Sequence, residues 1–251
     1  MCKRLFDFVL SALLLLAFSP VLLGAMLAVW LQDYHSPFYI ATRVGRNGHP
    51  FRMVKLRSMV INADRAGVDS TSNNDRRITA VGRFIRTFKL DELSQLWNVL
   101  TGDMSMVGPR PNVPNETARY TDEENMLLAT KPGITDIASI VFSDEGQILA
   151  DSADPDLDYN RLIRPWKSRL GILYIQNRSL AMDLTLIALT AVAIFSRRQA
   201  LRGVDRILAN MNAPEDVRIV ARRDMALQPS APPGAQRPVI AADLYGDRAV
   251  A

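Results

Sequence analysis

The sequence predicts an α+β domain attached to a membrane segment, and three patterns in its 251 residues support that prediction. The stretch from Phe8 to Leu31 contains no charged residue and is long enough to lie in lipid. Residues 37–61 read as short strands separated by a turn. After Asp91 and Glu92, large apolar side chains recur at helical spacing until Gly102.

Composition narrows the classes of function. Hydrophobic residues make up 48% and charged residues 22%, which is typical of a folded chain. The net charge of +4 suits an anionic membrane surface or a phosphate-bearing substrate, whereas scattered basic residues without a recognisable module argue against nucleic acid. With Cys2 as the single cysteine and two histidines, a disulfide framework is excluded and any metal would need oxygen ligands.

The N-terminal apolar segment leaves its topology open. It is too long for the apolar part of a signal peptide, so a transmembrane helix is the simpler interpretation. Ser19-Pro20 lies in its middle, however, and proline removes a backbone donor and kinks or breaks a helix. Because basic residues flank both ends, the charge pattern selects neither a spanning nor a re-entrant segment.

Residues 37–61 predict a β-hairpin that turns at Gly45-Arg46-Asn47-Gly48. Lys55 and Arg57 are two apart near the end of the second strand and therefore face one side. A solvated strand face explains them as well as a phosphate site does. The polar residues 62–74 predict a mobile loop.

The stretch from Arg86 to Pro111 is the main candidate for a functional site. Asp91 and Glu92 begin a short helix there, where both carboxylates can lean toward one solvent-filled site. Acidic residues in a first turn are also ordinary partners of the helix dipole, and that alternative stays open. Arg86 precedes the acids, and Arg110 follows between two prolines that hold it in a stiff loop.

The remaining chain predicts mostly helices. We expect an acidic surface helix at residues 115–130, a solvated acidic loop at 144–158 and a further helix at 159–178. An apolar helix at 180–195 and a basic helical piece up to Arg223 follow. The apolar helix is too short to span a bilayer, so it is either interfacial or buried. From Gln228 the chain is rich in Pro and Ala and is expected to be disordered.

Taken together, motifs spread over residues 3–195 resemble the bacterial sugar transferase family, the monotopic phosphoglycosyl transferases. The motifs that carry the resemblance, in chain order, are Lys3-Arg4, Asp7, Ser19-Pro20, Phe38-Tyr39, Arg43-Val44-Gly45, Lys55-Leu56-Arg57-Ser58-Met59, Asp75-Arg76-Arg77-Ile78-Thr79, Leu90-Asp91-Glu92-Leu93, Gln95-Leu96-Trp97-Asn98-Val99, Gly102-Asp103-Met104-Ser105, Val107-Gly108-Pro109-Arg110-Pro111, Pro132-Gly133-Ile134-Thr135, Asn177 and Asp183-Leu184. The chain departs from the common pattern at Ala41, Lys89, Ser94, Asp136, Ser143 and Gly171.

The resemblance implies a fold, a reaction and a location. It implies a re-entrant membrane helix at residues 1–33, a small cytoplasmic catalytic domain at 34–200 with an interfacial helix near 180–195, and an extension at 201–251. The reaction is the transfer of a sugar 1-phosphate from a UDP-sugar to undecaprenyl phosphate, with release of UMP, at the start of glycan assembly. The location is the bacterial inner membrane.

The resemblance also implies roles for single residues. Asp91 is the expected nucleophile, and Glu92 assists it, with both acids as candidate ligands of Mg²⁺. Lys55, Arg57, Arg86 and Arg110 are the candidate phosphate contacts. Downstream glycosyltransferases and membrane lipid are expected partners, and a homo-oligomer is left open.

Two rival hypotheses remain at this stage. The chain could be a non-catalytic membrane scaffold for glycan-assembly enzymes, or a bitopic protein whose domain binds anionic ligands outside the cell. Magnesium-dependent UMP release separates the enzyme from both.

Overall fold

The structure, a computed structural model, describes residues 2–63 and 75–246 and divides into two compact units. Unit 1 contains residues 2–63, 76–118 and 128–135, and unit 2 contains residue 75 and residues 119–127 and 136–246. Most of the loop predicted at 62–74 lies outside the described residues.

Helix α1, Cys2–Asp33, is the one described helix that is long and apolar enough to cross a membrane. The predicted break at Ser19-Pro20 does not end it, because the chain is helical on both sides. Pro20 cannot donate to the carbonyl of Leu16, and the hydroxyl of Ser19 donates to that carbonyl instead, at 2.8 Å. Serine thus compensates for the donor that proline removes.

Both ends of α1 contact unit 1. At the start, Arg4 donates to the carbonyls of Val99 and Leu100, and the buried carboxylate of Asp7 accepts from Ser105 and Met106. Near the end, the side chain of Val29 is fully buried against Leu56 and Ile85. Along the helix many apolar side chains remain exposed, including Leu5, Leu13, Leu16, Phe18, Leu23 and Leu31. The helix therefore binds unit 1 along one side and presents apolar side chains on another.

The predicted hairpin is confirmed. Strand β1, Phe38–Val44, pairs antiparallel with β2, Pro50–Leu56, around a short turn in which Asn47 and Gly48 have positive φ. Helix α2, Ala80–Thr87, approaches the end of β2 at Gly82, where a Cβ would lie 1.8 Å from the carbonyl oxygen of Ser58. Glycine is required there because any side chain would push α2 away from β2.

The predicted helix after the two acids is instead a pair of short helices, α3 Leu90–Leu93 and α4 Leu96–Thr101, ending at Gly102 with φ 98° as expected. Leu96 is buried, but Trp97, one of the large apolar side chains that recur before Gly102, is exposed. A parallel pair of short strands, β3 Ser105–Val107 and β4 Gly133–Thr135, completes unit 1 together with α5, Pro114–Thr117.

The predicted acidic surface helix at 115–130 was wrong. The structure has α5 and a 3₁₀ helix, Glu124–Ala129, in this region. Glu124 is buried within unit 2, where its carboxylate accepts from Arg164 and from the hydroxyl of Ser168. An acid with two buried donors is a structural residue that a surface pattern cannot reveal.

Unit 2 is helical. Its elements are α6 Ile137–Val141, α7 Glu145–Ile148, α8 Pro155–Asp158, a π-helical turn Tyr159–Ile163, α9 Arg164–Asn177, α10 Leu180–Phe195, α11 Arg197–Asn210, α12 Glu215–Arg222 and α13 Ala241–Tyr245. The helices predicted at 159–178 and 180–195 and the basic helical piece are confirmed. Of the two alternatives for α10, full burial is wrong, because one side is exposed, with Phe195 at 89% exposure.

The C-terminal segment differs from the disorder expected for it. Residues 228–246 pack on unit 2, where Arg169 donates to the carbonyl of Ala231, Thr121 to that of Pro233 and Arg119 to that of Leu244. Pro232 and Pro233 are buried. The composition is that of a flexible tail, but arginines elsewhere in the chain supply donors for its backbone carbonyls.

Candidate active site

Asp91 and Glu92 form the first turn of α3, directly after a turn whose central residue, Lys89, has left-handed φ of 53°. The turn lets α2 end and α3 begin within two residues. Because α3 is one turn long, its dipole is weak, and nearby cations supply the positive charge that the two acids face.

Lys55 is the cation beside Asp91. Its Nζ lies 2.8 Å from Oδ2 of Asp91, and the two side chains are 23% and 7% exposed. An ion pair this far from bulk water is screened less than a surface pair. The structure thus brings Lys55 into contact with Asp91, and the phosphate-binding role of Lys55 stays a prediction.

The contact depends on how the helices are fixed to the strand that carries Lys55. Asn98 of α4 accepts from the backbone N–H of Val54 and donates to the carbonyl of Arg52, at 2.9 and 2.8 Å. Ser94 donates to the carbonyl of Val54. These side chains bind the open edge of β2 as a neighbouring strand would, and so hold α3 over Lys55.

Arg110 is the cation beside Glu92, with Nη2 and Oε1 2.5 Å apart. Burial favours the neutral form of Glu92, but the positive charges of Arg110, Lys55 and Lys89 outweigh it and hold the pKa of this carboxyl below its usual 4.5. Glu92 is therefore an anion at neutral pH. Each acid thus has its own basic partner.

The two other predicted phosphate contacts, Arg57 and Arg86, form no ion pair with Asp91 or Glu92 within the described residues. Arg57 is buried, and its guanidinium binds both carboxylate oxygens of Asp33 at the end of α1. That pair favours a structural role for Arg57 and lowers the pKa of Asp33 to about 2. Arg86 lies half-buried in the last turn of α2, and within the described residues its guanidinium has no hydrogen bond or ion pair.

Sequence reasoning missed Asn98 and Asp33. Asn98 belongs to a motif that carries the resemblance, but nothing in the sequence indicated that its side chain binds the edge of a strand. Asp33 had a clearer signal, since a buried cation on a strand end requires an acid partner. Nothing in the spacing identified which acid it would be.

The arrangement suits phosphate chemistry. Two adjacent carboxyl groups and the two cations paired with them can bind a diphosphate and present an oxygen nucleophile to it. Within the part of the chain that the structure describes, no three His, Cys, Asp or Glu side chains cluster as a preformed metal cage. Mg²⁺ nevertheless suits one or two carboxylates when substrate phosphates supply further oxygens, so the donor set fits that ion.

We expect replacement of Arg110 by Gln to raise the pKa of Glu92. The largest influence on this carboxyl is burial, which favours the neutral form, and Arg110 is its strongest opponent. In the wild type the ionised Glu92 contributes stability above its ordinary pKa of 4.5, and this contribution is lost as the pH falls through the lower native value. NMR titration of the Glu92 carboxyl carbon measures the shift directly.

Arg46→Gln is the matched control for that titration, because Arg46 is exposed and its guanidinium makes no hydrogen bond or ion pair within the described residues. An unchanged Glu92 titration in Arg110→Gln would show that Arg110 does not stabilise the anion.

Comparison with known proteins places these residues in a family. The sequence profile described as "Bacterial sugar transferase" matches residues 1–197. The chain is 36% identical to the undecaprenyl-phosphate galactose phosphotransferase of Salmonella typhimurium over 78% of this chain and 40% of that protein. It is 33% identical to the exopolysaccharide production protein ExoY of Sinorhizobium fredii, over 76% of this chain and 84% of that protein. It is 36% identical to the UDP-glucose:undecaprenyl-phosphate glucose-1-phosphate transferase of Caulobacter vibrioides, over 66% and 64%. The chain thus spans about two fifths of the length of the Salmonella relative.

Proposed function

Because this chain belongs to the bacterial sugar transferase family, we propose that it transfers a sugar 1-phosphate from a UDP-sugar to undecaprenyl phosphate. The observation that carries the proposal is the pair of adjacent acids at the start of α3, each bound to a basic side chain, Lys55 or Arg110. The relatives named for this reaction support the choice of donor and acceptor. The product begins an exopolysaccharide or a related glycan, as the name of the ExoY relative suggests.

The first step uses Asp91 as the nucleophile. A carboxylate oxygen forms a bond to the phosphorus that carries the sugar, and the bond from that phosphorus to the bridging oxygen of the diphosphate breaks. UMP leaves with the electron pair of that bond. Lys55 holds the carboxylate in place, which matters because a carboxylate is a weak nucleophile and alignment must supply much of the rate.

The second step regenerates Asp91. An oxygen of undecaprenyl phosphate attacks the same phosphorus, the bond to Asp91 breaks, and the product is the undecaprenyl diphosphate sugar. Arg110 and Arg86 are the donors left for the phosphate oxygens, since Arg57 binds Asp33. Bound Mg²⁺, held by Asp91 and Glu92, would neutralise the diphosphate charge.

The acceptor needs an apolar surface beside the acids. Phe84 and Phe88 of α2 contact each other and are both more than half exposed, and Trp97 of α4 is also more than half exposed. Exposed aromatic side chains on the helices that precede and follow α3 suit a polyprenyl chain or the lipid around it. The site would then open toward the membrane rather than toward bulk water.

We further propose that α1 is re-entrant and that the domain faces the cytoplasm. Arg4 and Asp33 are far enough apart in sequence that a straight helix would separate them by about 44 Å, more than the roughly 30 Å core of a bilayer. Both ends nevertheless bind unit 1. A spanning helix would place its ends on opposite sides, so contact of both ends with one domain supports entry and exit on the same side.

The function is tested by UMP release from the detergent-solubilised chain with undecaprenyl phosphate, Mg²⁺ and a panel of UDP-sugars. We expect release with one donor and loss of release when the divalent cation is removed with EDTA. Absence of release with every donor would instead favour a membrane scaffold that has kept its acids.

The topology is tested with single cysteines. Cys2 is exposed and unique, and His35→Cys in a Cys2→Ser background places the probe at the other end of α1. In intact cells a membrane-impermeant maleimide should label neither position, and after permeabilisation it should label both. Labelling of one position alone in intact cells would mean that α1 spans the membrane.

Changing Ser19-Pro20 to Leu-Leu should straighten α1 and abolish UMP release. Leucine restores the backbone donor to the carbonyl of Leu16, so the reason for a bend disappears. The same two labelling positions report the result, because a straightened segment should expose one of them to the periplasm. Full activity with unchanged labelling would show that the Ser-Pro pair is not needed.

A further inference from the structure

Helix α11 carries a row of unpaired arginines. Arg198, Arg202 and Arg206 are four residues apart and exposed, and none of their guanidinium groups has a hydrogen bond or ion pair within the described structure. Positions four apart on a helix lie on one side, so the three guanidinium groups form a stripe about 12 Å long. We call it the arginine stripe. The family profile ends at residue 197, before the stripe begins.

The stripe lies opposite the buried side of its helix. Ala200, Leu201, Val204 and Leu208 point into unit 2 and are buried. The other arginines nearby are held by acids, since Arg218 and Arg222 pair with Asp205, and Arg197 with Asp144. The other charged residues of α11 are paired, whereas these three arginines on one side of it are not. Their unpaired charges suggest that they bind a ligand outside the chain.

Helix α10 lies directly against α11. At Gly203 a Cβ would fall 2.4 Å from a methyl of Leu189, so the two helices approach closely there. Both helices also pack on α6. The three helices α6, α10 and α11 therefore pack together, and we call the pair of α10 and α11 the α10–α11 layer.

The exposed side of α10 is apolar. Leu184, Ala188, Ala191 and Phe195 are exposed and recur three or four residues apart. The single acid of α10, Asp183, is buried and accepts from the hydroxyl of Tyr174 at 2.6 Å. Among the described residues of this layer there is therefore no exposed unpaired carboxylate to oppose an anionic surface.

We propose that the α10–α11 layer docks on the membrane and that the arginine stripe selects anionic phospholipid. The apolar side of α10 enters the interface, and Arg198, Arg202 and Arg206 bind headgroup phosphates beside it. An exposed apolar helix beside a helix with unpaired cations matches a bilayer, whereas a nucleic acid would leave the apolar side in water. The inference rests on the proposed function in one respect, because it takes α10 to lie at the membrane interface. It adds a preference for anionic lipid at residues outside unit 1, which contains the two acids.

The test uses the full chain in vesicles with a single fluorescent label. Ala191→Cys in a Cys2→Ser background places an environment-sensitive dye on the apolar side of α10. Quenching by lipids with a spin label on the acyl chain reports insertion, in vesicles of phosphatidylcholine alone or with phosphatidylglycerol. We expect quenching to be strong only with phosphatidylglycerol and to weaken in high salt, since salt screens exposed charges.

The decisive variant is Arg198→Gln/Arg202→Gln/Arg206→Gln. The ratio of inserted to detached α10 should fall on the order of fivefold for each arginine removed. Arg46→Gln/Arg52→Gln/Arg76→Gln removes the same net charge from exposed positions in unit 1 and should leave quenching unchanged. Equal quenching in both lipids, an unaffected stripe variant, or an equal loss in the control would each overturn the proposal. UMP release is measured separately in detergent, so an inactive wild type would refute the proposed function and leave the lipid result interpretable.

Discussion

Replacement of Asp91 by Asn should lower the rate of UMP release by at least roughly 10⁴-fold, as expected when a nucleophile is removed. An amide is neutral and cannot form the bond to phosphorus, while its size preserves the packing of α3. The second readout is the covalent intermediate. Incubation of the wild type with the UDP-sugar in the absence of undecaprenyl phosphate should add the mass of one sugar phosphate to the chain, and Asp91→Asn should show no such addition.

Asp103→Asn is the matched control for this experiment. Asp103 is an exposed acid of the same unit, whose carboxylate accepts from Thr101 at 3.1 Å. Near-normal release in this variant would show that loss of one negative charge near the site is insufficient to stop the reaction. Substantial release by Asp91→Asn would rule out Asp91 as the nucleophile and leave Glu92 as the alternative.

Replacement of Asp7 by Ala should destabilise unit 1 by about 2–5 kcal/mol, because it leaves buried donors without an acceptor. Asp7 is 3% exposed, and its two oxygens accept from the hydroxyl of Ser105 at 2.9 Å and the N–H of Met106 at 3.1 Å. These bonds fix the start of α1 to β3. The thermal midpoint in detergent measures the loss, and UMP release should fall in parallel as α1 detaches.

Asp122→Ala provides the comparison, since Asp122 is exposed and substitutions of that kind usually change stability by no more than about 0.5 kcal/mol. The thermal midpoint of Asp7→Asn should fall between those of the two alanine variants, because the amide keeps one acceptor oxygen. If Asp7→Ala and Asp122→Ala melt at the same temperature, the start of α1 is not anchored through Asp7.

Local patterns were enough for much of this protein. The uncharged run of α1, the hairpin around Asn47-Gly48, the stop at Gly102 and the apolar helix α10 were predicted from spacing, because each depends on residues close together in the chain. The two acids and the cations near them were candidates from the sequence as well, but their roles came from the family resemblance and stay predictions.

Only the tertiary structure determined which side chains from distant segments pair with each other. It paired Lys55 with Asp91 through the edge of β2, gave Arg57 to Asp33, and turned Trp97 outward. It bound both ends of α1 to the rest of unit 1 and bound residues 228–246 to donors elsewhere in unit 2. Sequence spacing determines which side of a helix or strand a residue occupies. The partner that a buried charge meets is determined by contacts between distant segments, which minimise unpaired charge and unsatisfied backbone across the whole unit.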